Sequence, residues 1–200
     1  MRDTAPPTQE TPALTRENRN LRQENERLRA FISGLRSLME SAGQQNNEFE
    51  VTKLLDGMLQ SALEMTNTED GSLLVMDEDT NELVFVAVHG KVEASLGWRR
   101  ISSRKGIAGW VAQNRCSTIV NDPHEDERFY DDLDVTFEFR TSSILAAPLM
   151  GDGKLLGVIE VLNRKDGQLF STGDQELLTL FCRLAGELLY SVLKEKRGEG

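Results

Sequence analysis

The stretch from Ser142 to Leu178 constrains the fold of this chain more than any other part of its 200 residues. It predicts a strand, a tight turn at 151–153, a second strand, a polar loop and a helix, because Gly-Asp-Gly is typical of β-hairpin turns. The second strand, Leu155–Leu162, is apolar apart from Gly157 and Glu160. A buried carboxylate needs a hydrogen-bond donor. We expect that donor to be either a ligand group or a backbone amide of the acidic segment 121–140.

The polar loop after the hairpin carries Asn163, Arg164, Phe170 and Asp174. These residues could clasp a ligand pocket, or they could brace the start of the last helix. In the second interpretation Ser171 caps that helix and Asp174, at its third position, completes a capping box. Arg164 would then hold Asp174 through a charge-assisted hydrogen bond. We expect the second interpretation, a structural role. Such a role would also allow the loop to hold the wall of a pocket in place.

The composition excludes several classes of function. The formal net charge of −10 and a pI near 4.8 argue against nucleic-acid or anionic-membrane partners, which need a basic face. Cys116 and Cys182 match no zinc, redox or haem-attachment spacing, so we expect both to be small core residues. The acidic segment lacks the spacing of a calcium loop, and His124 has no partner four residues on, so no metal site is predicted. No apolar run approaches the roughly 20 residues that span a bilayer, and the polar start is not a signal peptide, so we expect a cytoplasmic protein.

The amino-terminal part divides into a tail and a predicted coiled coil. Residues 1–12 are polar and proline-rich, and we expect them to be disordered. Residues 13–42 carry a heptad pattern, which predicts a parallel two-stranded coiled coil and therefore a homodimer. An amphipathic helix that packs on its own domain is the alternative, but the apolar stripe is narrow for that. The d positions are Leu14, Leu21, Leu28 and Leu35, and the a positions are Asn18, Asn25, Ile32 and Met39.

Residues 43–196 are predicted to form one α+β domain with an antiparallel sheet, because strands joined by turns lie between two helices. An irregular acidic segment at 121–141, the lid, is expected to close over a pocket, with Phe129 and Tyr130 on its underside. The last helix is expected to bury Leu184 with its other apolar residues. The predicted elements are a helix around 51–63, strands at 72–76, 83–88 and 98–101, a brief helix at 106–113, a strand at 117–120, the hairpin, and a helix at 172–196.

The chain resembles a GAF domain over about residues 48–194. The resemblance rests on an ordered set of motifs: Gly71–Asp77, Lys105–Ala112, Val120–Pro123, Phe139–Thr141, Ala147–Leu149 and Gly157–Arg164. Such domains are sensory modules with an antiparallel sheet, long helices packed on one face that dimerise, and a lid over a pocket on the other face. The resemblance therefore implies a regulatory rather than a catalytic domain.

A narrower resemblance is to the cyclic-nucleotide-binding GAF domains of phosphodiesterases and adenylyl cyclases. Their motif of Asn-Lys, Phe and Asp-Glu is similar to Asn163-Arg164, Phe170 and Asp174-Gln175 here, with Arg in place of Lys and Gln in place of Glu. The resemblance implies cyclic AMP or cyclic GMP as candidate ligands. The positions that match the family's pocket residues are Ser72, Ile107, Ala108, Tyr130, Asp134, Thr141 and Glu160.

Two departures bear on the choice of ligand. Val88-His89 stands where such domains can have an aromatic-acidic pair that reads a purine, and Phe137 lies near a position often filled by a small hydroxyl residue. Guanine recognition through a carboxylate is therefore not supported. The two cysteines do not supply the pocket thiols of the GAF domains that reduce methionine sulfoxide, so no catalytic residues are predicted.

The sequence thus predicts a non-catalytic sensor domain that binds a small polar ligand and signals through a helical dimer interface. The alternative is a GAF-fold dimerisation and spacer module without a small-molecule ligand, in which Phe137, Val88 and Tyr130 fill the pocket.

Overall fold

The computed structural model describes residues 12–42, 48–91, 97–131, 134–135, 139–196 and 198. The chain is α+β, as predicted. The predicted disordered tail, the interruption at 43–47 and Phe137 lie outside the described residues, apart from Pro12. In chain order the elements are α1 (Pro12–Ala42), α2 (Glu48–Thr66), β1 (Thr68–Asp77), β2 (Glu82–His89), β3 (Arg100–Ser102), α3 (Gly106–Asn114), β4 (Thr118–Val120), a 3₁₀ turn (Pro123–Glu125), β5 (Ile144–Gly151), β6 (Lys154–Arg164) and α4 (Thr172–Lys196).

The strands form one six-stranded sheet in the order β3-β2-β1-β6-β5-β4, and all its pairings are antiparallel. The predicted hairpin is β5–β6. Asp152 and Gly153 connect its strands with φ values of 49° and 71°, which suits the positive-φ turns that match the twist of a hairpin. Its register places Ser72 of β1 and Ala146 of β5 on either side of Glu160.

Side chains that alternate along the strands divide the interior into two layers. Ile159 and Val161 face α2 and α4, where they pack in a cluster that includes Phe181. Val158 packs on the opposite face with residues of α3 such as Val111. Glu160 therefore points toward the α3 side of the sheet, away from the long helices.

Helix α1 uses two different faces. Its second half packs on the domain through Phe31, Gly34 and Leu38, and the rings of Phe31 and Phe181 meet edge-on with centroids 6.4 Å apart. The alternative interpretation of this helix, packing on its own domain, is therefore correct for this half, which packs through Leu35 of the predicted stripe as well as through residues outside it. Most of the stripe remains open, with exposed fractions between 48% and 70%; its exposed members are Leu14, Leu21, Leu28, Ile32 and Met39.

Two predicted details were wrong. The third strand begins at Arg100 rather than near Trp98, because Trp98 has a left-handed φ of 66°, which a strand cannot continue. Leu184 is 43% exposed rather than inward, since α4 packs through the neighbouring face that carries Phe181 and Ala185. No helix in the described part of the chain is long and apolar enough to cross a membrane.

Candidate functional site

A cavity lies between the sheet, the start of α3 and the lid. Its volume is about 100 Å³, several times the roughly 15 Å³ that one water needs. The structure brings all the sequence-predicted ligand residues to its wall: Ser72, Ile107, Ala108, Tyr130, Asp134, Thr141 and Glu160. Phe129, expected on the underside of the lid, also lines it, and sequence reasoning did not select several others, among them Asp70, Phe85, His89, Lys105 and Phe139.

Glu160 is the acid in the sheet wall of this cavity. The backbone N–H of Ala108 donates a hydrogen bond to its carboxylate, but burial dominates and raises the pKa of Glu160 from 4.5 to about 7. This donor belongs to the first turn of α3 and not to the acidic segment in which a donor was expected. Near neutral pH this side chain exists both as an acceptor and as a protonated donor.

The contact between Glu160 and Ala108 also completes helix α3. Lys105, which precedes the helix, makes no side-chain cap. The first amides of a helix have no partner within it, so Glu160 supplies from the sheet an acceptor that the local sequence does not provide. The same carboxylate thus holds α3 in place and borders the cavity.

Asp134 ties the lid to the segment that enters β5. Its carboxylate accepts hydrogen bonds from the Thr141 backbone N–H at 2.7 Å and from the Thr141 hydroxyl at 2.6 Å. The Nε2 atom of His124 lies 3.8 Å from the same carboxylate. Because the Thr141 hydroxyl donates its proton to Asp134, its oxygen can only accept a hydrogen bond from a ligand.

Tyr130 and Lys105 form the mouth of the cavity. The Lys105 ammonium lies 3.2 Å from the centroid of the Tyr130 ring, a cation–π contact. Val88 also lines the wall. Of the residues predicted to fill the pocket in the spacer alternative, Val88 and Tyr130 therefore leave the cavity open, and Phe137 is outside the described residues.

Two further polar side chains of the cavity lining, Asp70 and His89, are held by neighbouring residues. Asp70 accepts the Lys91 backbone N–H at 3.0 Å. The Nε2 atom of His89 lies 2.8 Å from a carboxylate oxygen of Asp56. No group of side chains suited to a metal ion occurs among the described residues.

The Asn163, Arg164, Phe170 and Asp174 motif lies away from the cavity wall. Asp174 is 1% exposed, and one of its oxygens accepts a hydrogen bond from Arg164 Nη1 at 2.9 Å and forms an ion pair with Arg27 Nη1 of α1 at 3.1 Å. Its other oxygen accepts the Ser171 N–H at 2.8 Å and the Ser171 hydroxyl at 2.7 Å. The Asp174 N–H in turn donates to the Ser171 hydroxyl oxygen at 3.3 Å. These reciprocal bonds are those of a capping box.

The rest of the motif fixes the two ends of the lid. Asn163 Oδ1 accepts the Ser142 N–H at 2.8 Å, and its amide nitrogen donates to the Arg140 carbonyl at 2.9 Å. Asn121 binds both backbone groups of Phe170, as acceptor and as donor, at 3.1 Å each. We call residues 163–174 the corner, since both ends of the lid attach to it.

The two cysteines differ in environment. Cys182 is fully buried, and burial raises the pKa of its thiol well above its usual range. Cys116 is exposed, so the expectation of a core position was wrong for this residue. It directly follows Arg115, whose left-handed backbone ends α3, and it therefore lies in a surface turn.

Comparison with known proteins identifies the domain. The family model described as GAF domain matches residues 50–189. Dual 3′,5′-cyclic-AMP and -GMP phosphodiesterase 11A of Takifugu rubripes is 26% identical over 151 residues, which cover 70% of this chain and 17% of the relative. The human rod cGMP-specific 3′,5′-cyclic phosphodiesterase subunit alpha is 33% identical over 84 residues, which cover 42% of this chain and 10% of the relative. The chain thus corresponds to a small part of each relative.

Solved structures show the same fold. The GAF domain of Acinetobacter phosphoenolpyruvate-protein phosphotransferase superposes with a TM-score of 0.65 at 20% identity, over 85% of this chain and 98% of that one. The corresponding GAF domain from Coxiella burnetii has a TM-score of 0.67 at 17% identity, over 85% and 97% of the two chains. With the family model matching well over half of its residues, the chain belongs to the GAF domain family.

Proposed function

We propose that this chain is a non-catalytic regulatory sensor that binds a small polar ligand in the cavity and signals through a helical dimer. The observation that carries the proposal is the cavity itself, which places an acid with a raised pKa, Glu160, among aromatic and hydroxyl side chains. Pockets of this kind, apolar with a few convergent polar groups, are the usual sites of small ligands. A cyclic nucleotide is the ligand class to test first, because the two relatives described above are named as cyclic-nucleotide phosphodiesterases.

The exposed stripe of α1 supports a second copy of this chain as the partner. Leu21 and Leu28 stand open on a helix whose other face is already packed on the domain. Asn25, at an a position between them, is costly to bury unless it pairs with its twin, which favours a parallel in-register pair. The ligand would act on this assembly only through a difference in its affinity for two states.

Calorimetric titration with cyclic AMP and cyclic GMP, together with thermal unfolding, tests the ligand. A binder at 100 times its dissociation constant stabilises the folded state by about 2.7 kcal/mol. We expect Thr141→Val to weaken binding, because it removes a hydroxyl from the cavity wall. Thr179→Val is the matched control, since the Thr179 hydroxyl is also hydrogen-bonded, to Ser117 at 2.9 Å, but lies outside the cavity lining.

The absence of both heat and thermal stabilisation with either nucleotide would remove the cyclic-nucleotide version of the proposal. Native mass spectrometry of freshly purified protein would then look for another retained small molecule. If none is retained, the dimerisation and spacer module becomes the better proposal, because the exposed stripe of α1 does not depend on a ligand.

A further inference from the structure

The lid, the corner and helix α1 are connected by a series of polar contacts joined through residues adjacent in the chain. At the cavity, Thr141 donates twice to Asp134 of the lid. The residues on either side of Thr141 are bound by Asn163, whose side chain contacts Arg140 and Ser142. The lid end next to the cavity is therefore fixed directly to the corner.

The corner in turn contacts α1 through Asp174. Arg164 follows Asn163 and donates to Asp174 at 2.9 Å, and Arg27 reaches the same carboxylate oxygen from α1 at 3.1 Å. The Arg27 side chain is 27% exposed, whereas that of Asp174 is 1% exposed. Charged pairs with a buried partner are screened by salt far less than surface pairs. A movement of the corner would therefore change the energy of this ion pair and, through it, the position of α1.

We propose that Arg27 couples helix α1 to the cavity through the corner, so that the seating of α1 and the Thr141–Asp134 contact favour each other. The inference rests on the proposed sensor function and names the route for its signal. Arg27 lies outside the matched region, residues 50–189, so the family motif alone does not contain this connection. A measured coupling between the two ends tests the route.

Amide hydrogen exchange by NMR measures this coupling without any ligand. In Arg27→Gln we expect the Thr141 N–H to exchange at least threefold faster than in the parent protein. The Ile159 N–H, in the central strand β6, reports global unfolding and is expected to change less. Arg36→Gln is the matched control, because Arg36 is an exposed arginine on the same helix.

The reciprocal experiment uses the other end of the route. Thr141→Val removes the hydroxyl bond to Asp134, and linkage requires that this loosen the seating of α1 if the two are coupled. We expect the amides next to Gly34 to exchange at least threefold faster, again relative to Ile159.

Two results would overturn the inference. In the first, Arg27→Gln leaves Thr141 exchange at the level of Arg36→Gln. In the second, Thr141 and Ile159 accelerate by the same factor, which shows that Arg27 acts on global stability alone. Neither result depends on nucleotide binding, so a failed titration and a failed coupling are distinguishable.

Discussion

At the scale of single residues, Glu160 shows how much of the site could be predicted from the sequence. A lone acid in the strand 155–162 indicates a buried carboxylate that needs a donor, and the structure has such a donor. Its identity could not be predicted, because Ala108 is distant in sequence and meets Glu160 only when α3 packs on the sheet. Lys105 was missed for the same reason, since its position over Tyr130 depends on the lid.

Glu160→Gln should change how stability depends on pH. The folded state keeps the Glu160 proton up to a pKa of about 7, whereas the unfolded chain loses it near 4.5. The contribution of this residue to the free energy of unfolding therefore falls as pH rises from about 4.5 to 7 and is constant above that. Relative to Glu160→Gln, the parent protein should lose roughly 2–3 kcal/mol between pH 5 and pH 8. Urea unfolding of both proteins at the two pH values measures this, and a difference that does not change with pH would contradict it.

Asp174→Ala should destabilise the domain strongly, because it leaves the buried Arg164 guanidinium without one of its two carboxylates. Removal of one partner of a buried ion pair costs about 3–5 kcal/mol. Asp166→Ala is the matched control, since Asp166 also binds Arg164 but its side chain is 27% exposed. Denaturant unfolding should show a smaller decrease in the free energy of unfolding for the control. Equal decreases for the two variants would contradict the role assigned to Asp174.

At the scale of secondary-structure elements, α1 combines a correct and an incomplete prediction. The heptad pattern predicted the helix and its exposed stripe. Phe31 and Leu38, with Leu35 shared from the stripe, mark a second apolar face, a signal that was available in the sequence. The ion pair from Arg27 to Asp174 was not predictable, since nothing local to either residue indicates that the two meet.

Gly34→Ala tests how closely α1 approaches α2. A Cβ atom at Gly34 would lie 2.8 Å from the Cβ of Ser61, so the two helices would have to separate. We expect the free energy of unfolding to fall by roughly 1 kcal/mol, since the cost of overpacking exceeds the gain in helix propensity. The control is Gly57→Ala in α2, where a Cβ would meet only Leu38 at 4.0 Å. It should stabilise by up to about 1 kcal/mol, and chemical unfolding that gives both variants the same sign would contradict this packing.

At the scale of the whole molecule, most of the fold followed from the sequence. Alternating strands, the Gly-Asp-Gly turn and the capping box are local patterns, and each predicted its element. The order of the strands and the assembly of the cavity arise from contacts between distant segments. The strand order was not predicted. The resemblance to a known family did identify the ligand residues, which line one cavity although they come from β1, α3, the lid and β6.

Substitution of the α1 stripe should weaken self-association. The combined change Leu14→Gln, Leu21→Gln and Leu28→Gln removes apolar side chains that are about half exposed in the single chain, so the folded monomer should lose little. Arg19→Gln with Glu26→Gln is the control, at exposed positions of the same helix outside the stripe. Sedimentation equilibrium should show monomer for the stripe variant and dimer for the control. An unchanged dimer would refute the coiled-coil prediction.

The attachment of both lid ends to one corner has a consequence for how such a domain diversifies. Asn121 is hydrogen-bonded to Phe170, and Arg140 to Asn163. The two ends of the lid are therefore already held together by the rest of the fold. The free energy of loop closure rises only with the logarithm of loop length. Insertions between these anchors therefore add little to the cost of folding. The lid is the part of the chain where evolution can change the size and chemistry of an accepted molecule while the sheet and helices remain as they are.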